Sequence, residues 1–227
     1  MRLQPLLIIF LLYMLPVSGA HAFCLLSDWA VEDSSGKLQI TCIGDTMDIV
    51  SPDGLSLWYK KCLTGNYEIS YRVKVITENG MYDRLSDLNC FWGADDPEYP
   101  DDFFARSSWR KGVFQNYNTL NLYYVGYGGN ENKTTRFRAY HGEYYGVDDA
   151  KIKPVIKEYT DESHLLKSGQ WYDIRIRVVN GITTFCMNGE ELFRLPIKDN
   201  EGDGYFALRL WKNHVSFTDF QVKHLDN

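Results

Sequence analysis

Apolar and polar residues alternate with a period of two along most of this chain. Tyr172, Ile174, Ile176 and Val178 are separated by Asp173, Arg175 and Arg177, and Asn180-Gly181 follows. A second run, Ile182 to Met187, ends at Asn188-Gly189, and a third passes from Leu192 to Leu195. Asn-Gly supplies the two positive-φ residues that a type I′ hairpin needs, so this stretch predicts an antiparallel meander. The same alternation predicts strands over residues 37–43, 55–60, 67–77, 86–92, 119–127 and 134–140, then 205–211 and 215–222. Ser51-Pro52-Asp53-Gly54, Thr64-Gly65-Asn66 and Asn79-Gly80 read as turns. Beyond residue 22 no apolar period of 3.6 is sustained, and residues 148–168 have room for a short helix at most. About eleven short strands without long helices predict an all-β fold, a β-sandwich or jelly roll of two antiparallel sheets.

Alternation also sorts the strand faces. Leu88, Cys90 and Trp92 are expected to face inward, leaving Asp87 and Asn89 outward. Leu120, Leu122 and Tyr124 are expected inward, with Asn121, Tyr123 and Tyr127 outward. Phe137 and Ala139 face inward and Arg136, Arg138 and Tyr140 outward. Phe206, Leu208 and Leu210 face inward and Tyr205, Arg209 and Trp211 outward. An open face combining Asn, Tyr, Arg and Trp suits an anionic sugar, arginine taking a carboxylate or sulfate and aromatic planes taking the ring. A solvated sheet face with ordinary cross-strand pairs is the plainer alternative.

The first residues read as a leader. Arg2 is followed by the uncharged run Leu6–Leu15 and by Ala20-His21-Ala22, the small-residue pattern of a signal-peptidase site. About 20 apolar residues are needed to span a bilayer, so no membrane insertion is expected. Residues 1–22 are therefore expected to be a signal peptide and 23–227 a single jelly-roll domain, periplasmic or secreted. Five cysteines follow the leader, an odd number that leaves at least one thiol free in an oxidising compartment. Cys24 with Cys42 is one candidate bridge, and Cys90 reads as a small buried hydrophobe.

Composition narrows the function classes. The net charge of −6 argues against nucleic-acid binding, which needs a cationic surface. The run Asp95-Asp96-Pro97-Glu98-Tyr99-Pro100-Asp101-Asp102 reads as a solvated loop. Structural calcium is its alternative use, although the ligand spacing of a dedicated calcium loop is missing. No other cofactor and no catalytic metal is expected.

Three segments, Tyr67–Val73, Asp83–Trp92 and Leu122–Asn130, together resemble a concanavalin A-like family of bacterial polysaccharide-utilisation loci. Thr134-Thr135-Arg136-Phe137-Arg138 and Lys212-Asn213-His214 fit the same pattern. The resemblance implies the jelly-roll fold and, by analogy with ulvan oligosaccharide dehydratases, loss of water from a terminal uronic acid to leave a 4,5-unsaturated uronate. Such an elimination needs a cation to neutralise the uronate carboxylate and a proton-transfer pair. Arg136 and Arg138 are expected to be the clamp, and Tyr123 and His214 the proton-transfer pair, either one as base. Arg84, Asn89, Asn121, Tyr140 and Arg209 are expected to position the sugar, an acidic oligosaccharide bound by a monomer. The rivals are a depolymerising lyase, a non-catalytic carbohydrate-binding module, and a glycoside hydrolase pairing Asp87 with Asp96 or Glu143. The leader predicts that exported protein begins at Phe23, and N-terminal sequencing that still reads residues 1–22 would refute that cleavage.

Overall fold

A computed structural model describes residues 26–198 and 200–226. The expected leader, its cleavage point and Cys24 lie outside the described residues. The strands are β1 (Trp29–Asp33), β2 (Gln39–Ile43), β3 (Thr46–Tyr59), β4 (Tyr67–Val75), β5 (Leu88–Asp95) and β6 (Asn121–Gly128). They continue with β7 (Thr134–Tyr140), β8 (Val155–Tyr159), β9 (Trp171–Val179), β10 (Ile182–Met187), β11 (Glu190–Pro196) and β12 (Tyr205–His224). All pairings are antiparallel. The back sheet runs β11-β10-β9-β4-β12, and β12 continues into a front sheet through β5-β6-β7-β8.

The meander forms as its sequence dictates, with Asn180, Gly181, Asn188 and Gly189 all at positive φ. Elsewhere the expected punctuation changes meaning. Ser51-Pro52-Asp53-Gly54 does not reverse the chain but lies inside β3, opposite an irregularity in β12 between Trp211 and Asn213. Proline lacks an amide donor and tolerates a bulge, so both strands bend here and pass from one sheet to the other. The strands expected at 205–211 and 215–222 are therefore the two arms of one.

The main core fills the space between the sheets. Trp92 stacks on Phe137 at 5.8 Å between ring centroids, and its indole donates 2.8 Å to Thr183 of the opposite sheet. A second apolar cluster covers part of the front sheet's outer face. There Trp58, Phe91, Tyr124 and Tyr140 meet Phe103, Tyr117 and Leu120 from the segment between β5 and β6. β5 is consequently buried along both faces, from Leu88 to Ala94.

That capping segment is fastened by charge. Arg110, fully buried, donates from Nε to Glu32 at 3.0 Å, and its Nη1 lies 3.4 Å from Asp96. Arg106 grips both Asp96 oxygens, at 2.6 and 2.9 Å, and Tyr117 donates 2.6 Å to the second oxygen of Glu32. The acidic run is thus not wholly a solvated loop, because Asp96 is sunk beneath two guanidinium groups. Among the described residues no cluster of His, Cys, Asp or Glu is placed to hold a metal ion. Removing one partner of a buried ion pair leaves the other charge uncompensated. Arg110→Ala is expected to cost about 3–5 kcal/mol in urea unfolding, and a loss below about 1 kcal/mol would show that the network is dispensable.

Candidate functional site

Cross-strand partners share a face, so register decides what the open side presents. Tyr123 pairs with Trp92 and Ala139, placing it on the core face, while Tyr124 pairs with Phe91 and Arg138 on the outer face. The expected orientation of β6 is therefore reversed. Leu122 and Tyr124 face outward, and Tyr123, Val125 and Tyr127 face the core. Both faces of this strand are apolar because the cap covers one and the back sheet the other, so polarity gave no contrast. The expected faces of β5, β7 and β12 match the two clusters.

The part of the outer face left free by the cap is a cleft of about 410 Å³. Its floor is Asn89 of β5, Tyr124 of β6 and Arg209 of β12, and its rim carries Asp87, Phe114 and Trp211. Arg209 pairs across strands with Asn89, and Asn89 with Gly126. Gly126 leaves room for Tyr124 to lean along its own strand: a Cβ there would come within 2.6 Å of the phenol oxygen. Gly54 and Gly112 close the wall, each leaving no space for a Cβ against the other's carbonyl.

Arg209 is 3% exposed, donates 2.9 Å to the Gly112 carbonyl, and has no carboxylate partner among the described residues. Its guanidinium lies 5.4 Å from the Phe114 ring and 5.6 Å from Tyr117. Asn89 is buried, and its Oδ1 has no partner among the described residues. Burial, then the charge of Asp87, hold the Tyr124 phenol well above the ordinary tyrosine pKa, although Arg209 and Arg138 oppose them. Tyr124 is therefore a hydrogen-bond donor at neutral pH, and it has no hydrogen-bond partner among the described residues. Trp211 is 41% exposed, with its indole N–H 3.0 Å from Asp53 and Arg84 stacked 4.6 Å from its ring.

Asp87 stands at φ 60°, a conformation costly for a non-glycine residue. Asn213, from the β12 bulge, donates to the carbonyls of Ser86 and Asp87 at 2.9 and 3.1 Å. Arg84 and Ser86 hold the Asp87 carboxylate at 2.5 and 2.8 Å. The loop before β5 is thereby aimed at the cleft.

The structure gathers only some of the expected site residues. Asn89 and Arg209 line the cleft, and Arg84 braces its edge through Asp87 and Trp211. Asn121 and Tyr123 of β6 and Tyr140 of β7 border a separate cavity of about 670 Å³ toward the other end of the front sheet's strands. That larger cavity is walled by Asp95, Asp101, Glu143, Glu201 and Asp203, a lining that repels an anionic sugar. The Tyr123 ring packs on Trp92 and Phe137, and burial followed by the charge of Glu201 raises its pKa. Arg136 is neutralised by Glu158, and Arg138 donates to the Lys153 carbonyl, so the two do not form a shared clamp. Asp87, Asp96 and Glu143 are likewise apart: one lines the cleft, one is gripped by arginines, one borders the acidic cavity. Tyr124, Phe114 and Gly112 were not singled out by the sequence as site residues; an apolar strand and an irregular loop carry no periodic signal for them.

His214 does not meet Tyr123. Its ring is held between Asp83, 3.0 Å from Nδ1, and Asp48, 2.9 Å from Nε2. Burial lowers its pKa, but the hydrogen bonds and charges of Asp48 and Asp83 outweigh this and raise it. The ring joins β3, β12 and the loop leading to Asp87.

A family model described as a domain of unknown function, DUF6250, matches residues 49–220. The chain belongs to the DUF6250 family. No curated protein matches it. A Bacillus subtilis protein of unknown function with a galectin-like fold superposes with a TM-score of 0.63 at 15% identity, covering 88% of this chain and 90% of that one. The carbohydrate-binding module CBM66 of B. subtilis gives 0.55 at 9% identity, covering 86% and 95%. A native glycosidic hydrolase gives 0.53 at 12% identity, covering 88% and 91%. These likenesses show the fold: this DUF6250 chain is a galectin- and concanavalin-like antiparallel β-sandwich.

A raised histidine pKa stabilises the fold while the ring is charged in the folded state. The contribution is complete below the unfolded value of about 6.5 and is lost as pH rises through the folded value. The thermal midpoint of wild type minus that of His214→Gln is expected to shrink from pH 6 to pH 9. A difference independent of pH would show that the ring works by packing alone.

Proposed function

We propose that this protein binds an acidic carbohydrate in the cleft over β5, β6 and β12. The observation that carries the reading is Arg209, a buried cation with no carboxylate partner among the described residues, set beside Asn89, Tyr124 and Trp211. Burying a charge without a partner is costly, so the site is completed when a ligand oxyanion supplies the countercharge. The uronate carboxylate takes Arg209, Asn89 Oδ1 accepts from a sugar hydroxyl, and the exposed Trp211 indole offers a plane to the ring. The disulfide at Cys42 supports an oxidising, extracytoplasmic setting. The free thiols of Cys62, Cys90 and Cys186 play no part in the cleft.

The Tyr124 hydroxyl, influenced by Asp87 and Arg209, favours a second reading in which the bound sugar also reacts. Water is eliminated from a terminal uronic acid, leaving the 4,5-unsaturated uronate. Arg209 neutralises the carboxylate, Asp87 takes the C5 proton, and Tyr124 protonates the departing oxygen. These roles replace those expected for Arg136 with Arg138 and for Tyr123 with His214.

Titration with uronate-terminated oligosaccharides tests both readings. Arg209→Lys, folded by circular dichroism, is expected to weaken binding by about tenfold or more, because the planar fork is lost. Undiminished binding would remove Arg209 from the site. If elimination occurs, mass spectrometry records loss of one water, and Tyr124→Phe lowers the rate by a factor of about 10²–10⁴ while binding persists. Binding without any mass change identifies a binding module.

A further inference from the structure

Ten arginines lie among the described residues, and eight of them pair with carboxylates. Arg138 and Arg209 are the exceptions, and both belong to the outer face of the front sheet. They lie on either side of Tyr124: Arg138 is its direct cross-strand partner on β7, and Arg209 of β12 lies opposite Asn89 on the intervening strand β5. Both guanidinium charges act on the Tyr124 and Tyr140 phenols. Lys153 joins them, its Nζ 4.9 Å from the Phe114 ring and 5.7 Å from Tyr140, also without a carboxylate partner among the described residues. Burial, then the Arg138 charge, lower the Lys153 pKa.

Carboxylates are not scarce in a chain with 30 acidic and 24 basic side chains. The neighbouring Arg136, two residues away on the same strand face, has its own in Glu158. Three half-buried or buried cations collected without one repel each other and are desolvated at a cost. Arg138 uses one Nη1 donor on the Lys153 carbonyl, and its other N–H groups have no partner among the described residues.

We propose that Arg138 and Lys153 form a second oxyanion subsite beside Arg209, so that the carbohydrate taken by the cleft carries two anionic groups. This rests on the reading of the cleft as an acidic-carbohydrate site. The second group is a sulfate ester or the carboxylate of an adjoining uronate, both of which match a guanidinium fork assisted by an ammonium.

The test uses sodium glucuronate, sodium sulfate and sodium acetate at matched ionic strength, read by amide chemical shifts of the wild type and of folded variants. Sulfate or acetate is expected to bind in the presence of saturating glucuronate, the tighter of the two identifying the second group. Arg138→Gln and Lys153→Gln are each expected to weaken that anion by about tenfold, while glucuronate affinity stays within about twofold. Arg209→Lys is expected to show the reverse. Competition of both sulfate and acetate with glucuronate for one site, or unchanged anion affinity in both variants, would overturn the second subsite and leave the first intact. Failure of glucuronate itself to bind wild type would overturn both.

Discussion

The pairing of Arg110 with Glu32 and Asp96 is the interaction on which the cleft depends. The outer face of the front sheet is apolar over Trp58, Phe91 and Tyr140, and strands alone cannot cover it. The segment between β5 and β6 does so with short helical turns, Phe103–Arg106, Ser107–Arg110 and Phe114–Thr119, too brief to be stable by themselves. Arg110 fixes them from beneath, since it reaches Glu32 on β1, Asp96 beyond β5 and the Phe103 carbonyl at once. Its helix turn ends in left-handed Lys111, and Gly112 follows at φ 74°, pressed against Gly54. The Gly112 carbonyl is thereby delivered to Arg209. A buried ion pair is weak evidence for stability, but here it determines where a loop lies, and the loop carries one wall of the site.

The opposite wall comes from the bend shared by β3 and β12. Both strands change sheets at Gly54 and Trp211, and the irregularity turns Asn213 toward the loop before β5. Asn213, His214 and the carbonyls of Trp211 and Lys212 each hold a residue of that loop: the backbone of Asp87, the side chain of Asp83, and Arg84. The unfavourable φ of Asp87 is sustained by these contacts from a different strand. A single long strand thus supplies Arg209 from its regular part and the bracing groups from its bulge.

The sandwich was legible in the sequence wherever one strand face meets water. In β9 the alternation of Ile and Val with Asp and Arg is the burial pattern itself, and both Asn-Gly turns form as expected. Arg209, Asn89 and Trp211 were legible because they alternate with the apolar core residues of their strands, although Arg209 and Asn89 are themselves buried. β6 was not, because Leu122 and Tyr124 lie under the cap while Tyr123 and Val125 lie in the core, and both sets are apolar. Strands β1 and β8 were missed: the first is short and precedes a Ser-Gly turn, and the second is largely exposed, with no alternation to read. His214 was noticed for its chemistry, but that chemistry is engaged by Asp48 and Asp83, partners distant in sequence. Register and long-range partners are consequences of the assembled fold, and no local pattern encodes them.

The two cavities share strands and differ in sign. β5 carries Asn89 into the cleft and Asp95 to the acidic cavity, six residues apart, which along a strand is about 20 Å. Screening at physiological salt has a length of about 8 Å, so each cavity sets its own local potential despite the overall negative charge. An anionic chain held at Arg209 is therefore repelled from the end walled by Asp95, Glu143 and Glu201. Toward Arg138 and Lys153 it meets cations, and toward β3 it meets the exposed Trp211 ring with Lys212 5.0 Å from it. The charge pattern gives the cleft a direction: across the strands from the β12 bulge toward β7, not along them. Arg209, Asn89, Tyr124 and Arg138 are each an outward residue of a different strand, so the polar chemistry of this face is spread across the sheet and concentrated in no single motif.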